Sequence, residues 1–271
     1  MIIVQISDPH IDYSDLASQN RLKEVLSQIN NMPTSPDLLI ITGDCTEHGH
    51  PDEYRLFQEL IAPNKMPTFF IPGNHDNRQM FREILGVPGH NHYAEYVQYT
   101  IEDQGPLRLI ALDTLIPGKG KGTLSSGQLA WLDTQLAAQP DRPTMLMMHH
   151  PPLKTGLKVL DNMGLECYDH LAAILQRHKQ VELIAAGHFH GHYQQRFANT
   201  STIVCPSTLH QWNPDFRQPE RFVVQYQTPS CLIHIWNNDI GLLSYPCQLT
   251  DNGPYTMLND GQNWIPQVQN E

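Results

Sequence analysis

Val181-Glu182-Leu183-Ile184-Ala185-Ala186-Gly187-His188-Phe189-His190 carries an apolar run of strand length into two histidines one residue apart. Neighbouring strand residues point to opposite faces, so both imidazoles reach one pocket only where the chain leaves strand geometry. Gly187 makes that departure inexpensive. In a chain with 15 histidines one such pair decides little. What decides the fold is that four upstream runs end in a similar way. Ile2-Ile3-Val4-Gln5-Ile6 delivers Ser7-Asp8-Pro9-His10, and residues 37–42 deliver Gly43-Asp44. Residues 68–71 deliver Pro72-Gly73-Asn74-His75-Asp76, and residues 144–148 deliver His149-His150-Pro151-Pro152.

Helical spacing separates the early runs. Leu22, Val25, Leu26 and Ile29 fall on one face of a helix expected over 17–30. A second helix is expected from Pro51, a favoured first helical residue, to about residue 61. Strand, polar strand end and helix, repeated three times, predict a parallel α/β sheet whose loops gather ligands at the strand C-termini. Residues 96–101 and 107–112 read as two strands joined by a Gly105-Pro106 turn. Helices are expected over 125–138, with Ser125 or Ser126 near the cap, and over 168–178. Beyond residue 190 helical signals fade, and 196–197, 202–205, 222–226 and 231–236 read as short strands of a second sheet. A catalytic domain is expected over 1–245, with 246–271 as a C-terminal extension ordered against another subunit.

The formal net charge of -11 argues against non-specific binding to nucleic acid or an anionic membrane. The N-terminus MIIVQISDPH lacks the charged and long apolar segments of a signal peptide, and no apolar run reaches spanning length. Five scattered cysteines, odd in number and without a C-x-x-C, suit reduced thiols in a cytoplasm. A cytoplasmic protein with a small-molecule substrate, and without nucleic-acid or membrane partners, is therefore expected.

The five strand ends supply carboxylates, imidazoles and one amide, the donor set of a site for two divalent transition metals. In this arrangement the chain resembles the calcineurin-like metallophosphoesterases over about residues 1–240. The motifs Ile6-Ser7-Asp8-Pro9-His10, Pro72-Gly73-Asn74-His75-Asp76, His149-His150-Pro151-Pro152 and Pro206-Ser207-Thr208-Leu209-His210 carry the resemblance. They are most similar to class III cyclic-nucleotide phosphodiesterases and bacterial glycerophosphodiesterases.

The resemblance implies a four-layer α/β/β/α sandwich and a dinuclear centre of Fe, Mn, Zn or Co. It implies that Asp8, His10, Asp44 and His190 bind the first metal, and that bridging Asp44 with Asn74, His149 and His188 binds the second. The reaction implied is phosphodiester hydrolysis by metal-activated hydroxide attack on phosphorus, with glycerophosphodiesters, cyclic nucleotides or similar small diesters as substrates. His75 is then the catalytic group at the departing oxygen, and Asn74, His75, His150 and His210 are the substrate-side residues.

Alternatives stand beside this reading. Asp8 and Asp44 could be turn or cap residues. Sequence alone does not say which of His149 and His150 coordinates; the resemblance favours His149. Glu47 either orients the catalytic histidine or is a solvated loop residue, and His210 either contacts substrate or merely packs. Gly89-His90-Asn91-His92 repeats the G-H-x-H form but follows no strand and precedes His149, so it is set aside as a metal motif. A phosphomonoesterase with the same metals, a non-enzymatic scaffold of the same fold and a nuclease are the rival functions. Homo-oligomers are expected from the resemblance.

Overall fold

The computed structural model describes residues 1–218, 221, 223–249 and 261–263. The chain opens with β1 (Ile2–Ile6), α1 (Leu16–Asn30), β2 (Leu38–Thr42), α2 (Pro51–Ile61), β3 (Thr68–Ile71) and α3 (Arg78–Ile84). There follow β4 (Tyr99–Ile101), β5 (Arg108–Leu112), α4 (Ser126–Ala138), β6 (Thr144–Met148), α5 (Lys158–Asp161), α6 (Tyr168–Leu175) and β7 (Val181–Ala186). Six more strands complete the described chain: β8 (Tyr193–Phe197), β9 (Thr200–Val204), β10 (Gln211–Trp212), β11 (Val224–Gln225), β12 (Ser230–Asn237) and β13 (Gly241–Gln248).

Two large sheets form, ordered β13-β12-β1-β2-β3 and β4-β5-β6-β7-β9-β8. The strands with site residues at their ends, β1, β2 and β3 in one sheet and β6 and β7 in the other, run parallel to their site-bearing neighbours. Alternation along β5 and β6 shows how the layers stack. Leu109, Ala111, Met145 and Met147 join one core cluster with Ile3, Ile6, Leu39 and Ile41 of the other sheet. Ile110, Leu112, Leu146 and Met148 turn the other way, onto Leu129, Leu132 and Leu136 of α4 and Leu171 and Leu175 of α6. Leu22, Val25, Leu26 and Ile29 of α1 cover the outer face of the first sheet. The result is the expected α/β/β/α sandwich. With both faces covered, the strands carry unbroken apolar runs rather than alternating polarity.

Local chemistry fixes the helix starts. Asp15 accepts from the amides of Ala17 and Ser18 at the head of α1, and Ser125 with Gln128 makes a capping box on α4. Pro51 stands at the start of α2 as expected.

Several expectations are corrected. The strands beyond residue 190 do not make one second sheet. β8 and β9 extend the sheet of β4–β7, whereas β12 lies antiparallel to β1 in the first sheet. The strand expected over 222–226 shrinks to β11, paired only with β10, and residue 222 lies outside the described residues. Helix α6 stops at Leu175, short of residue 178, and α3, capped by Asn77, was not foreseen. The boundary expected at 245/246 falls inside β13, and Leu249 beyond it is buried. The rest of that extension, apart from 261–263, lies outside the described residues. Among the described residues no helix is long and apolar enough to cross a membrane.

Candidate metal centre

The strand ends converge because their loops bond to one another. The amides of Asp8, His10 and Ile11 donate to the carbonyls of Gly43, Asp44 and Cys45 at 3.1, 3.0 and 3.2 Å, so the chain after β1 runs alongside the chain after β2. Gly187 N–H donates to the His149 carbonyl at 3.1 Å, and His188 N–H donates to Asp8 Oδ2 at 3.1 Å. His75 N–H donates to Asp44 Oδ1 at 2.9 Å. Asp8, His10, Asp44, His188 and His190 all have φ between 41° and 74°. L-residues rarely adopt this left-handed region, and a cluster of them in one pocket marks a place where side-chain aim outweighs backbone comfort.

One group comprises Asp8, His10, Asp44 and His190, whose donor atoms lie within 4.8 Å of one another. His10 Nε2 is 3.1 Å from His190 Nε2, His190 Nε2 is 3.3 Å from Asp8 Oδ1, and His10 Nε2 is 3.6 Å from Asp44 Oδ2. Beside it, His149 Nε2 lies 3.1 Å from Asn74 Oδ1 and 3.3 Å from Asp44 Oδ2, and its ring centroid is 4.9 Å from that of His188. Asp44 Oδ2 therefore faces an imidazole of each group.

The outward ring nitrogens test whether these residues fit cations. His10 Nδ1 meets Glu47 Oε2 at 2.6 Å, His149 Nδ1 meets the Thr42 carbonyl at 2.8 Å, and His190 Nδ1 meets the His210 carbonyl at 3.0 Å. His188 uses its other nitrogen, with Nε2 2.9 Å from the Met163 carbonyl. A carbonyl or carboxylate oxygen only accepts, so each outward nitrogen donates its hydrogen and a lone pair is left facing the cluster. That is how ligating histidines are oriented, and the donor set fits divalent transition metals. The glycines match: a β-carbon on Gly73 would collide with Asp44 and stand 2.7 Å from His149 Nε2, and one on Gly187 would stand 2.7 Å from Asp8 Oδ2.

Electrostatics point the same way. Burial alone would raise the Asp8 carboxyl, but the His190 imidazole brings it down to about 2. Burial likewise opposes, and the His149 imidazole prevails in holding Asp44 well below the usual carboxylate range. His149 is lifted to about 9 against its own burial by Asp44 and Asp8, while burial and the nearby His149 push His188 down to about 3. The two carboxylates thus favour positive charge at His149, whereas burial keeps His188 neutral, with a lone pair free for a cation.

Around it sit the expected substrate-side residues. His75, with its side chain 37% exposed, packs edge-on to His10 at 4.7 Å between centroids. Its Nδ1 lies 2.9 Å from the Glu47 backbone carbonyl. The Glu47 carboxylate turns to His10, and its nearer oxygen to His75 is 3.7 Å away, so of the two readings left open neither holds as stated: Glu47 is neither a free solvated loop residue nor hydrogen-bonded through its carboxylate to His75. His150 is buried, with Nδ1 2.8 Å from Thr114 Oγ1, its ring 4.6 Å from that of His188, and a donor atom within 4.8 Å of those of His149 and His188. The His210 ring lies 4.6 Å from that of His190, and burial with the His190 and His10 charges pushes it down to about 4. Asn74 and His75 open onto a cavity of about 780 Å³ that also touches Arg78, Arg82, Glu83 and Glu95. The decoy residues His90, Asn91 and His92 are exposed, and His90 merely bridges to Thr100.

Sequence reasoning missed Asp76. Its buried carboxylate accepts from Gly73 N–H at 2.8 Å, Cys45 N–H at 3.0 Å and Tyr54 O–H at 3.1 Å, tying the loop of Asn74 to that of Asp44. Burial, with Asp44 adding to it, pushes this carboxyl up to about 6. Its place two residues after Asn74 was the available signal.

Comparison with known proteins agrees with this architecture. A probable glycerophosphodiester phosphodiesterase GpdQ of Arcobacter nitrofigilis is 34% identical over 272 residues, covering 96% of this chain and 98% of that protein. A 3',5'-cyclic-nucleotide phosphodiesterase of a Nostoc species is 27% identical, covering 84% of each chain. The crystal structure of a dimetal phosphatase from Danio rerio superposes with a TM-score of 0.62 at 12% identity, covering 92% of this chain and 99% of that one, a likeness of fold. The sequence pattern described as Calcineurin-like phosphoesterase matches residues 1–192, the part that contributes every residue of both candidate metal groups, and the chain belongs to that family.

Proposed function

We propose that this protein is a phosphodiesterase that hydrolyses small phosphodiesters at a dinuclear centre, with Asp8, His10, Asp44 and His190 holding one divalent cation and Asp44, Asn74, His149 and His188 the other. The single observation that carries it is the four imidazoles, each pinned from outside by an oxygen so that a lone pair faces two buried carboxylates. Bound Fe, Mn, Zn or Co ions would supply Lewis acidity, which makes hydroxide available near neutral pH and offsets phosphoryl charge. Nitrogen and oxygen donors without thiolate suit that set of metals.

The protein's own residues do the rest. His75 Nδ1–H is engaged by the Glu47 carbonyl, which leaves Nε2 as the atom that, in the imidazolium form, passes its proton to the departing alkoxide and leaves the ring neutral. Asn74 and His75 hold the phosphoryl end where it meets the cavity, and the cavity takes the alcohol part. Its volume of about 780 Å³ matches a small ligand, and the net charge of -11 disfavours nucleic acid. His210, whose ring packs on His190 at 4.6 Å and lies 6.0 Å from that of His10, is a further substrate-side group. His150, bonded to Thr114 and packed on His188, acts at the centre rather than on substrate. The proposal extends to a cytoplasmic location, supported by free thiols, and to homo-oligomers, supported by Leu243 and Tyr245 exposed on β13. Light scattering at the monomer mass of 30.9 kDa would remove the oligomer from it.

The test is a panel of initial rates on chelator-treated protein supplied with manganese or cobalt. Bis(p-nitrophenyl) phosphate, a glycerophosphodiester and 3',5'-cyclic AMP are set against p-nitrophenyl phosphate. Diester turnover that falls by at least about 10³-fold in Asp44→Ala supports the reading. Preference for the monoester would make the protein a phosphomonoesterase, and absence of turnover despite bound metal would leave a scaffold.

A further inference from the structure

Cys231 and Cys247 stand directly opposite each other in the antiparallel ladder of β12 and β13. Cys231 is buried and Cys247 is half-buried, its thiol donating to the Gln248 carbonyl at 3.7 Å. The ladder fixes the kind of rung they occupy. Leu249 N–H donates to the Pro229 carbonyl two rungs away on one side, and Pro246, which has no N–H, faces Leu232 on the adjacent rung on the other side. Hydrogen-bonded and non-hydrogen-bonded pairs alternate, so the cysteines are a hydrogen-bonded pair with Cα atoms about 5.5 Å apart. A disulfide spans that distance, although Cβ atoms so placed start farther apart than the relaxed value of about 3.8 Å.

We propose that Cys231 and Cys247 form a reversible redox modification site, closing an intrachain cross-strand disulfide when they meet a low-molecular-weight disulfide. Cys247, the accessible member, loses its proton to solvent and attacks one sulfur of the reagent RSSR. The reagent's S–S bond breaks, a mixed disulfide forms on Cys247, and RS⁻ leaves. Cys231 then attacks the Cys247 sulfur, its proton passing to solvent. The Cys231–Cys247 bond forms and the second RS⁻ departs. Two protein thiols are oxidised and one RSSR is reduced to two RSH. The neighbouring Cys231 thiol draws Cys247 down to about 6 against its burial, which favours it as the attacking group. The wide starting separation puts the bond in the strained, readily reduced class. The other cysteines, Cys45, Cys167 and Cys205, are buried.

The test uses the full chain, reduced, freed of reductant and incubated with oxidised glutathione, then alkylated and digested without reductant. Two of the five thiols become resistant to alkylation, the mass falls by about 2 Da, and a Cys231–Cys247 peptide pair appears that reduced glutathione reopens. Tm rises by roughly 5 °C. C247S and C231S each abolish all four signals, and C247S, at a half-buried site, suffices if C231S fails to fold. Five alkylated thiols, a glutathione adduct on Cys247 that never resolves, or a Cys247–Cys247 link between two chains would overturn the proposal.

Discussion

His10, His149, His188 and His190 each give one ring nitrogen to an oxygen outside the cluster, and weakening that oxygen should be felt as metal affinity before it is felt as fold. Three of those oxygens are backbone carbonyls and cannot be removed by substitution. The fourth is Glu47 Oε2, at 2.6 Å from His10 Nδ1. Glu47→Gln keeps the shape and replaces a charged acceptor with a weaker one, so manganese affinity should drop about 10–100-fold with Tm of the metal-free protein little changed. Calorimetric titration of chelator-treated protein reads this directly. His75 is tested through the leaving group. His75→Ala should cost about 10²-fold or more on a glycerophosphodiester, whose alkoxide needs a proton, and far less on bis(p-nitrophenyl) phosphate, whose phenolate does not. Equal losses on both would mean that His75 serves the phosphoryl group or the loop instead. At this scale the residues that converge on the candidate centre were legible because carboxylates and imidazoles at strand ends announce themselves. Their outward partners were not, because the carbonyls of Thr42, Met163 and His210 would be the same atoms whatever residue stood there.

At the scale of elements, the local signals gave α1, α2 and β1–β3 almost to the residue, since the helices have a full period of apolar spacing and a cap or proline at their heads and the strands are short, mainly apolar runs. Helix α3 spans only seven residues, too few to show a period, and its signal was the Asn77 cap alone. Placing β12 beside β1 was out of reach for another reason: Gln5 and Leu232 are paired across most of the chain, and no local pattern records a strand's distant neighbour. A polar line does record it in space. His234 of β12 is buried, with Nε2 3.0 Å from Gln5 Oε1 and Nδ1 2.7 Å from Ser244 Oγ of β13. Burial pushes this imidazole down to about 3 from its ordinary 6.5. Between those values the unfolded chain binds a proton that the folded chain refuses. The stability is therefore intact above about pH 6.5 and drains away as pH falls towards 3. At pH 5 the cost from this group is about 2 kcal/mol. Urea unfolding at pH 7 and pH 5 should show His234→Gln losing less stability than the unaltered protein over that interval. Parallel losses would dismiss the effect.

The whole molecule concentrates Asp8 and Asp44, four histidines and five left-handed backbone sites at the seam between two sheets. Ligands that bind only the folded state stabilise it by mass action, so chelator treatment should lower Tm and added manganese should restore it in proportion to the logarithm of its concentration. A Tm indifferent to manganese would contradict a pre-organised centre. The sandwich itself was legible as strands with polar ends separated by helices, but the division of late strands between two sheets was not, because both sheets bury their strands alike. The parallel arrangement has a further consequence, in time rather than in space. His188 N–H grips the Asp8 carboxylate across 180 residues of sequence. At roughly 5–20 residues per second, a ribosome needs about 9–36 s between making the first of these residues and the second. Throughout that interval the nascent chain holds isolated aspartates and histidines but no completed centre, so hydrolytic power arrives all at once, only after His190 has been made.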